Sequence, residues 1–447
     1  MDSEIKIFPC PNGEIQRVQV VRFEDWSRLD FLTLKYSPAA LTCFADIYRR
    51  YLVPACPWIF GNMVMFHLPE DLEVPFPYST RAYGKVADRL TAAAAALKQG
   101  VRVRGGKPVF RNEQVKNFWE DLESRGCLQI IRGKLPITTI IPVGDLPGYL
   151  TEAEREAGMK VNASFFIMDR FDCATVYDHV GTPLGLCVKN GVVKNPPLFG
   201  REALMVKRDG SVSVTAPELS DLVLEINGQR YRPGENARVY SRPEYARTPK
   251  TEGTQLVITG CHVAAVQEGG SLPVPASGFV LCPEGDCKGS PGDRVTYRGM
   301  EDILFGIQVG NSILRNGEVT TTFRSRFYNI RRLERVPFPP SLYPMNFNAS
   351  RAARIALGAD AAGKPVMLWA EGAGKLGHIP GQESCGATLA DMARYCAAAG
   401  MVNAVNLDGG GSAQILLNNK RSLLISDRRP GDHAETERPV PLGLIVR

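Results

Sequence analysis

Apolar residues recur every three or four positions in three early segments. These are Ala39–Leu52 (AALTCFADIYRRYL), Tyr83–Lys98 (YGKVADRLTAAAAALK) and Gln114–Ser124 (QVKNFWEDLES). That spacing places one apolar stripe on an α-helix. The alanine run Ala92–Ala96 strengthens the second helix, and Gly100 marks its stop. A Pro- and aromatic-rich stretch, Pro69–Tyr83, separates the first helix from the second. From about Gly133 the pattern changes to short alternating runs broken by tight turns. Four Asn-Gly or Asp-Gly pairs lie between such runs: Asn190-Gly191, Asp209-Gly210, Asn227-Gly228 and Asn316-Gly317. Both residue types tolerate positive φ ahead of a glycine, so each pair predicts a β-hairpin. The fold class expected is α+β. Residues 1–135 would form a smaller α+β N-terminal domain without an assigned role. Residues 136–447 would form a domain of antiparallel and mixed sheets with a few helices. No repeat of fixed period is evident.

One later helix is well specified. Thr388 precedes LADMARYCAAAG with Asp391 three residues on, which is a capping-box spacing. Leu389, Met392, Cys396 and Ala399 can share a face, and Gly400 is placed to close the helix in the left-handed region. A strand, Ala404–Leu407, follows and runs directly into Asp408-Gly409-Gly410-Gly411-Ser412.

Composition narrows the function classes. The chain has 447 residues, 44% hydrophobic and 22% charged, which is ordinary for a globular protein of two or three domains. Its 53 basic and 47 acidic residues give a net charge of +6, and no long basic block interleaves with aromatics, so nucleic acid is not an expected partner. Arg324–Arg335 (RSRFYNIRRLER) reads as a solvated basic cluster. The start, MDSEIKIFPCPNGEIQ, lacks the apolar core of a secretory signal, and no apolar run approaches the roughly eighteen residues of a membrane span. The expectation is a cytoplasmic protein without membrane association. The eleven scattered cysteines suit reduced thiols. Cys282 and Cys287 could close a disulfide loop or form half a metal site, but no second pair or histidine cluster completes a zinc set.

Three successive glycines let a backbone turn sharply and present bare N–H groups, which can form an anion-binding concavity. A P-loop would need a lysine and a following helix, and a dinucleotide fingerprint also opens a helix. Here AQILLNNK follows Ser412 and reads as a strand ending in a turn. The loop is therefore a strand–loop–strand element with Asp408 at its lip and Asn406 on the same strand face. A structural glycine turn carrying a surface aspartate fits the same residues.

Asn406-Leu-Asp-Gly-Gly-Gly-Ser412 resembles the signature of the phosphodiester glycosidase family, which includes the uncovering enzymes. The likeness continues in order over the last two thirds of the chain. Val161-Asn162-Ala163-Ser164-Phe165-Phe166 is similar to the family's Val-Asn-Gly-Gly-Phe-Phe. Pro183–Leu186 with Asn190-Gly191 is similar to its next hairpin, and Gly306–Val319 to its Gly-Gly-Pro segment. Arg354-Ile-Ala-Leu-Gly358 is similar to Arg-Thr-Ala-Ile-Gly, and Glu371-Gly372 stands where Asp-Gly is usual. Gly386–Gly400 matches the helix before the signature, and Glu437-Arg438 the end. The chain departs at Ala163, Ser164, Ile355 and Gly310-Asn311-Ser312.

The resemblance implies a hydrolase that releases a sugar from a sugar 1-phosphodiester. Such cleavage passes through an oxocarbenium-like state that needs a carboxylate at C1. The phosphate leaves as a stable anion but needs positive charge and N–H donors around it. Asp408 is the first candidate for the carboxylate, with Glu371 as a second acid or base. Arg354, the amides of Gly409, Gly410 and Gly411, and Arg438 are candidates for the phosphate. Asn162, Asn406 and Ser412 complete the expected substrate contacts. No cofactor is required; a divalent ion on the oxygen ligands would be compatible, but no spacing indicates one. Hydrolysis of ordinary α-glycosidic bonds in a polysaccharide, or non-catalytic binding of a sugar phosphate, remain open alternatives.

Overall fold

In a computed structural model, the protein is described at residues 1–10, 13–34, 38–47, 49, 63–69, 71–78, 86–105, 107–131, 139–144, 148–154, 156–168, 173–320, 351–374, 377–429, 431–433 and 435–447. The basic cluster Arg324–Arg335 and positions 70 and 79–83 of the Pro-rich stretch lie outside these residues.

The expected α+β class is corrected by the structure. Strand accounts for 42% of the described residues and helix for 15%, so the architecture is mainly β. Its largest sheet has seven antiparallel strands. In spatial order they are Asp2–Pro9, Ile15–Arg22, Pro365–Ala370, Arg354–Asp360, Met401–Asn406, Ser312–Arg315 and Glu318–Val319. A five-stranded sheet runs Lys420–Arg421, Ile415–Leu417, Met159–Asn162, Leu442–Val446 and Leu29–Thr33. Alternation explains how they pack. Ile355, Leu357, Trp369, Val405 and Leu407 face one way and share a core with Met159, Val161, Ile415 and Leu444 of the second sheet. The opposite face of the large sheet, with Val18, Val20, Ala356, Leu368 and Ala404, is covered by Met392, Ala393 and Cys396 of the helix Leu389–Ala398.

The expected division at residue 135 does not follow the sheets. Ile15–Arg22 is an interior strand with both faces largely buried, and Leu29–Thr33 pairs with Leu442–Val446. The first 33 residues thus belong to the same sheets as the C-terminal half. The early helices Pro38–Ile47, Val86–Gly100 and Glu113–Ser124 and the strands Met63–Phe66, Leu128–Ile131 and Thr139–Pro142 come between Leu29–Thr33 and Met159–Asn162 in the chain. Val64, Phe66, Leu90, Phe118 and Trp119 give them a core of their own. The three helices reproduce the early periodicity within a few residues.

All four turn pairs join antiparallel strands. Asn190, Asn227 and Asn316 and the glycines after them have positive φ, as type I′ turns require. Asp209 is the exception: only Gly210 is left-handed, and the Asp209 carboxylate accepts from Ser211 N at 2.9 Å. Cys282 and Cys287 are free thiols, and no group of metal ligands occurs among the described residues. Among those residues no helix is long and apolar enough to cross a membrane.

The capping box is present. Thr388 Oγ1 accepts from Asp391 N at 3.0 Å, and Thr388 N donates to Asp391 Oδ2 at 3.0 Å. Thr388→Ala is expected to cost about 1 kcal/mol in equilibrium denaturation. An unchanged midpoint would show that the helix is held by its packing alone.

Candidate functional site

The signature loop leaves the strand Met401–Asn406 in the middle of the large sheet. Leu407 N donates to Ile355 O at 2.9 Å, which sets Arg354 across from Asp408 at the mouth of the neighbouring strand. Asp408 N donates to Ala163 O at 3.0 Å, joining the loop to the end of Met159–Asn162 in the second sheet. On the other side Asn406 N donates to Asn311 O, and Gly310 N to Asn406 O, both at 2.9 Å. The segments 162–165, 310–312, 353–354 and 406–412 therefore converge. They are the same segments that carry the sequence likeness.

Each glycine has its own steric reason. A Cβ on Gly409 would sit 2.7 Å from Ala353 O. Gly410 has φ +61, the left-handed region that disfavours other residues. A Cβ on Gly411 would overlap Arg438 Nη2 and Asp427 Oδ2. Two of the three amides are engaged inside the protein. Gly409 N donates to Asp408 Oδ1 at 2.8 Å and Gly410 N to Ala353 O at 2.8 Å. The expected cradle of three bare amides is corrected accordingly.

Asp408 is buried, and one of its oxygens is bound while the other is not. Oδ1 takes the Gly409 amide; Oδ2 has no partner at hydrogen-bond geometry. Asn406 Oδ1 and Ser164 Oγ are also buried without such a partner, and the Ser412 hydroxyl lies beside the Asp408 carboxyl. A buried polar atom without a partner costs stability, so their concentration along one loop and its neighbour marks a place prepared for a ligand. Burial pushes the Asp408 carboxyl up to about 6; the Ser412 hydroxyl, the Arg438 charge, the Gly409 amide and the Arg354 charge oppose that rise. Arg354 is buried and brought down to about 10 by desolvation, with the Asp408 charge pulling it back up. Its Nε donates to Ala387 O at 3.3 Å, on the segment leading into the capped helix.

The other expected site residues have structural work. Arg438 forms a buried ion pair with Asp427, with Nε–Oδ2 at 2.9 Å and Nη2–Oδ1 at 3.1 Å. Asn162 clasps both ends of the glycine loop: Nδ2 donates to Asp408 O at 2.8 Å and Oδ1 accepts from Gln414 N at 3.0 Å. The Asn162 amide is thus engaged within the protein through both its nitrogen and its oxygen. Glu371 is likewise bound on both carboxylate oxygens. Oε1 accepts from Leu424 N at 2.8 Å, and Oε2 accepts from Ser384 Oγ at 2.5 Å and Arg17 Nη1 at 3.2 Å. It is 1% exposed, so the structure supports a tie between distant segments rather than a second acid or base. Sequence reasoning missed Ser164 and Asp427 as site members. Ser164 had a signal, because it replaces a glycine of the family pattern. Asp427 had none, because its partner is known only from the fold.

The match to known proteins covers the same part of the chain. The family description "Phosphodiester glycosidase" fits residues 156–447. The chain belongs to the phosphodiester glycosidase family. No curated protein matches the sequence at a significant level. Among solved structures, it is similar to a hypothetical protein from Synechocystis, at 14% identity and TM-score 0.42 over 99% of this chain and 61% of that one. The chain thus spans about three fifths of the Synechocystis structure's length. It is similar to a Burkholderia pseudomallei protein named as a candidate for export, at 15% identity and TM-score 0.39 over 100% of this chain and 96% of that one. A third is the zebrafish N-acetylglucosamine-1-phosphodiester alpha-N-acetylglucosaminidase catalytic domain, auto-inhibited by its pro-peptide. Identity there is 10% and TM-score 0.36, over 100% of this chain and 82% of that one.

Two outcomes follow from this member's geometry. Gly411→Ala is expected to lower stability by about 1–3 kcal/mol, because the methyl must displace a buried ion pair; a wild-type denaturation midpoint would refute that contact. Asp408→Asn should stabilise the fold in a pH-dependent way. The native carboxyl titrates near 6, above its ordinary 3.8, so its stabilising contribution is full below about pH 4 and lost as pH rises through 6. The gain of the variant over wild type should therefore be small at pH 4 and grow to on the order of 2–3 kcal/mol by pH 7.5. A gain that is constant across pH would contradict the raised carboxyl.

Proposed function

We propose that this family member hydrolyses a sugar 1-phosphodiester at the Asp408 loop, releasing free sugar and a phosphate monoester. The observation that carries the reading is buried Asp408, whose Oδ2 lies outside hydrogen-bond geometry beside the Ser412 hydroxyl, with the Arg438 and Arg354 charges acting on it and the unpartnered Asn406 Oδ1 and Ser164 Oγ in the same loop and its neighbour. A carboxylate with one oxygen fixed and the other open can hold a defined direction toward C1. As the C1–O bond breaks, its electron pair leaves with the bridging oxygen, which remains on phosphorus, and the positive charge on C1 is met by Asp408. Water adds to C1, and its proton is taken up by the carboxylate or the departing phosphate. Arg354 supplies positive charge beside the leaving group, where a low dielectric strengthens it. Arg438 acts mainly through the loop it packs against, since its guanidinium is already paired with Asp427.

The substrate class and the role of Asp408 are this reading's own content. Ala163 and Ser164 in place of two glycines, and Ser312 in place of a proline, alter the wall of the site and hence the accepted sugar. Ser312 N donates to Glu202 Oε2 at 3.1 Å, and the Ser312 hydroxyl bonds the same carboxylate. Nothing in the reading calls for a metal or cofactor. The cysteines among the described residues are all free thiols, which suits a reducing compartment such as the cytoplasm.

The test is a release assay for free sugar on sugar 1-phosphodiesters and on aryl α-glycosides. Asp408→Asn is expected to lower kcat on the order of a thousandfold or more while circular dichroism stays native. Arg354→Ala is expected to cost about 2–3 kcal/mol in kcat/KM on the phosphodiester and much less on the aryl glycoside. Equal losses on both substrates would remove the phosphate role of Arg354 and favour an ordinary α-glycosidase. Tight binding of a sugar phosphodiester without turnover would favour a binding module.

A further inference from the structure

The outermost strand of the seven-stranded sheet, Asp2–Pro9, pairs with Ile15–Arg22 on one side, and no described strand pairs with it on the other. The register runs through all eight residues without a bulge. Proteins usually shorten, bulge or charge such an edge, because its unpaired backbone groups invite another strand. The opposite edge of this sheet, Glu318–Val319, is two residues long. The long edge strand His262–Gly270 of another sheet has its pairing interrupted by shifts in register. Asp2–Pro9 has neither device. It also carries Ile5 at 48% and Ile7 at 65% exposure, both on one face.

The hairpin fixes which backbone groups point outward. Cys10 N donates to Glu14 O at 2.8 Å, continuing the register that pairs Pro9 with Ile15. Antiparallel pairing alternates, so Phe8, Lys6 and Glu4 turn their N–H and C=O groups toward Ile15–Arg22. Ser3, Ile5 and Ile7 turn theirs toward the free edge. Pro9, which lacks an N–H, falls in the outward set, where it costs the inner ladder nothing.

The side chains then select what can pair there. An antiparallel second copy, related by a two-fold axis at Ile5, sets Ile5 against its own copy, Ser3 against Ile7 and Glu4 against Lys6. The three outward residues exchange hydrogen bonds with their equivalents, and two opposite-charge pairs form on the other face. Glu4 and Lys6 already meet within one chain at 3.4 Å, with Arg22 at 2.9 Å from Glu4. Moving the axis by one residue to Glu4 or Lys6 would place a charge against its own copy, which is unfavourable.

We infer that Asp2–Pro9 is a homodimer surface, joining two copies of the large sheet edge to edge about an axis at Ile5. Charges that hinder the approach of an unrelated apolar strand are paired in this one arrangement. The contact uses the same patch on both copies, so it closes at two. Two strands, Ile15–Arg22 and Pro365–Ala370, separate it from Arg354–Asp360, and the inference stands apart from the hydrolytic reading.

The test is sedimentation velocity of the untagged full chain over a range of concentrations, with cysteine cross-linking to report the register. A reversible monomer–dimer equilibrium is expected. Lys6→Glu, which leaves only acids in the two charge pairs, should weaken dimerisation about tenfold. Adding Glu4→Lys to that variant should restore most of the loss, because the pairs return with their signs exchanged. Under mild oxidation with copper phenanthroline, Ile5→Cys should give a covalent dimer at least fivefold faster than Ile7→Cys or wild type. Only at the axis do the two equivalent Cα atoms come within reach of a disulfide. Ile5 and Ile7 are both exposed, so circular dichroism should stay native in either variant. A chain that stays monomeric would overturn the surface and leave the edge to a strand of another protein. A Lys6→Glu protein that dimerises like wild type, or equal cross-linking from Ile5→Cys and Ile7→Cys, would overturn it as well.

Discussion

The buried Arg438–Asp427 ion pair is the fixed surface on which the signature loop is built. Two charges have been taken from water, and their attraction is useful only while the bidentate geometry holds. Gly411 lies directly against that pair, so the loop can pass only without a side chain there. The next constraint comes from the opposite side, where Ala353 O accepts the Gly410 amide and excludes a Cβ on Gly409. The loop is thus held between an ion pair and a strand end, and Asp408 is the residue immediately before the squeeze. Its direction is a result of this packing. A surface turn of the same sequence would leave the carboxylate free to rotate in water.

The same need for rigidity explains why the N-terminal strands belong to the large sheet. Arg17 reaches Glu371 through both backbone and side chain: Glu371 N donates to Arg17 O at 3.0 Å, and the guanidinium meets the carboxylate. Gln16 Nε2 adds a bond to Glu371 O at 2.7 Å. Through Ser384 and Leu424 that carboxylate ties together segments on either side of the loop. The strand Arg354–Asp360, which carries the site arginine, is flanked by Pro365–Ala370 on one edge and Met401–Asn406 on the other, so one strand separates it from Ile15–Arg22.

Local chemistry was legible in the sequence wherever a short stretch determines its own shape. The Thr388 cap, the Gly400 stop, three Asn-Gly turns and the strand–loop–strand form of the signature depend on neighbours a few residues away. The convergence of Asn162, Arg354 and Asp408 was legible only through family likeness. Roles that depend on distant partners were not legible. Nothing near Glu371 in the chain shows that Arg17 and Leu424 will occupy its oxygens, and nothing near Asn162 shows that Gln414 will take its carbonyl. The fold class was misread for a related reason. Helices such as Glu113–Ser124 announce themselves by a long periodic stripe, whereas strands of three to five residues give little signal each and add up only when paired. That the sheets cross the division at 135 was hidden because Ile15–Arg22 is buried on both faces and so reads the same in a small domain as in a large sheet.

Charge balance gives the site its direction of response. Arg438 pairs with Asp427, and the charges of both Arg438 and Arg354 act on Asp408. In the proposed reaction the phosphodiester brings one negative charge that competes with Asp408 for these same cations. The competition must raise the carboxyl above its resting value near 6, because a second anion nearby disfavours ionisation. As the C1–O bond breaks, positive charge develops on the sugar and reverses the effect, so Asp408 is favoured as an anion when the transition state forms. An interaction stronger in the transition state than with bound substrate is what accelerates a reaction. Burial makes the contrast large, and the single unsatisfied oxygen gives it a direction.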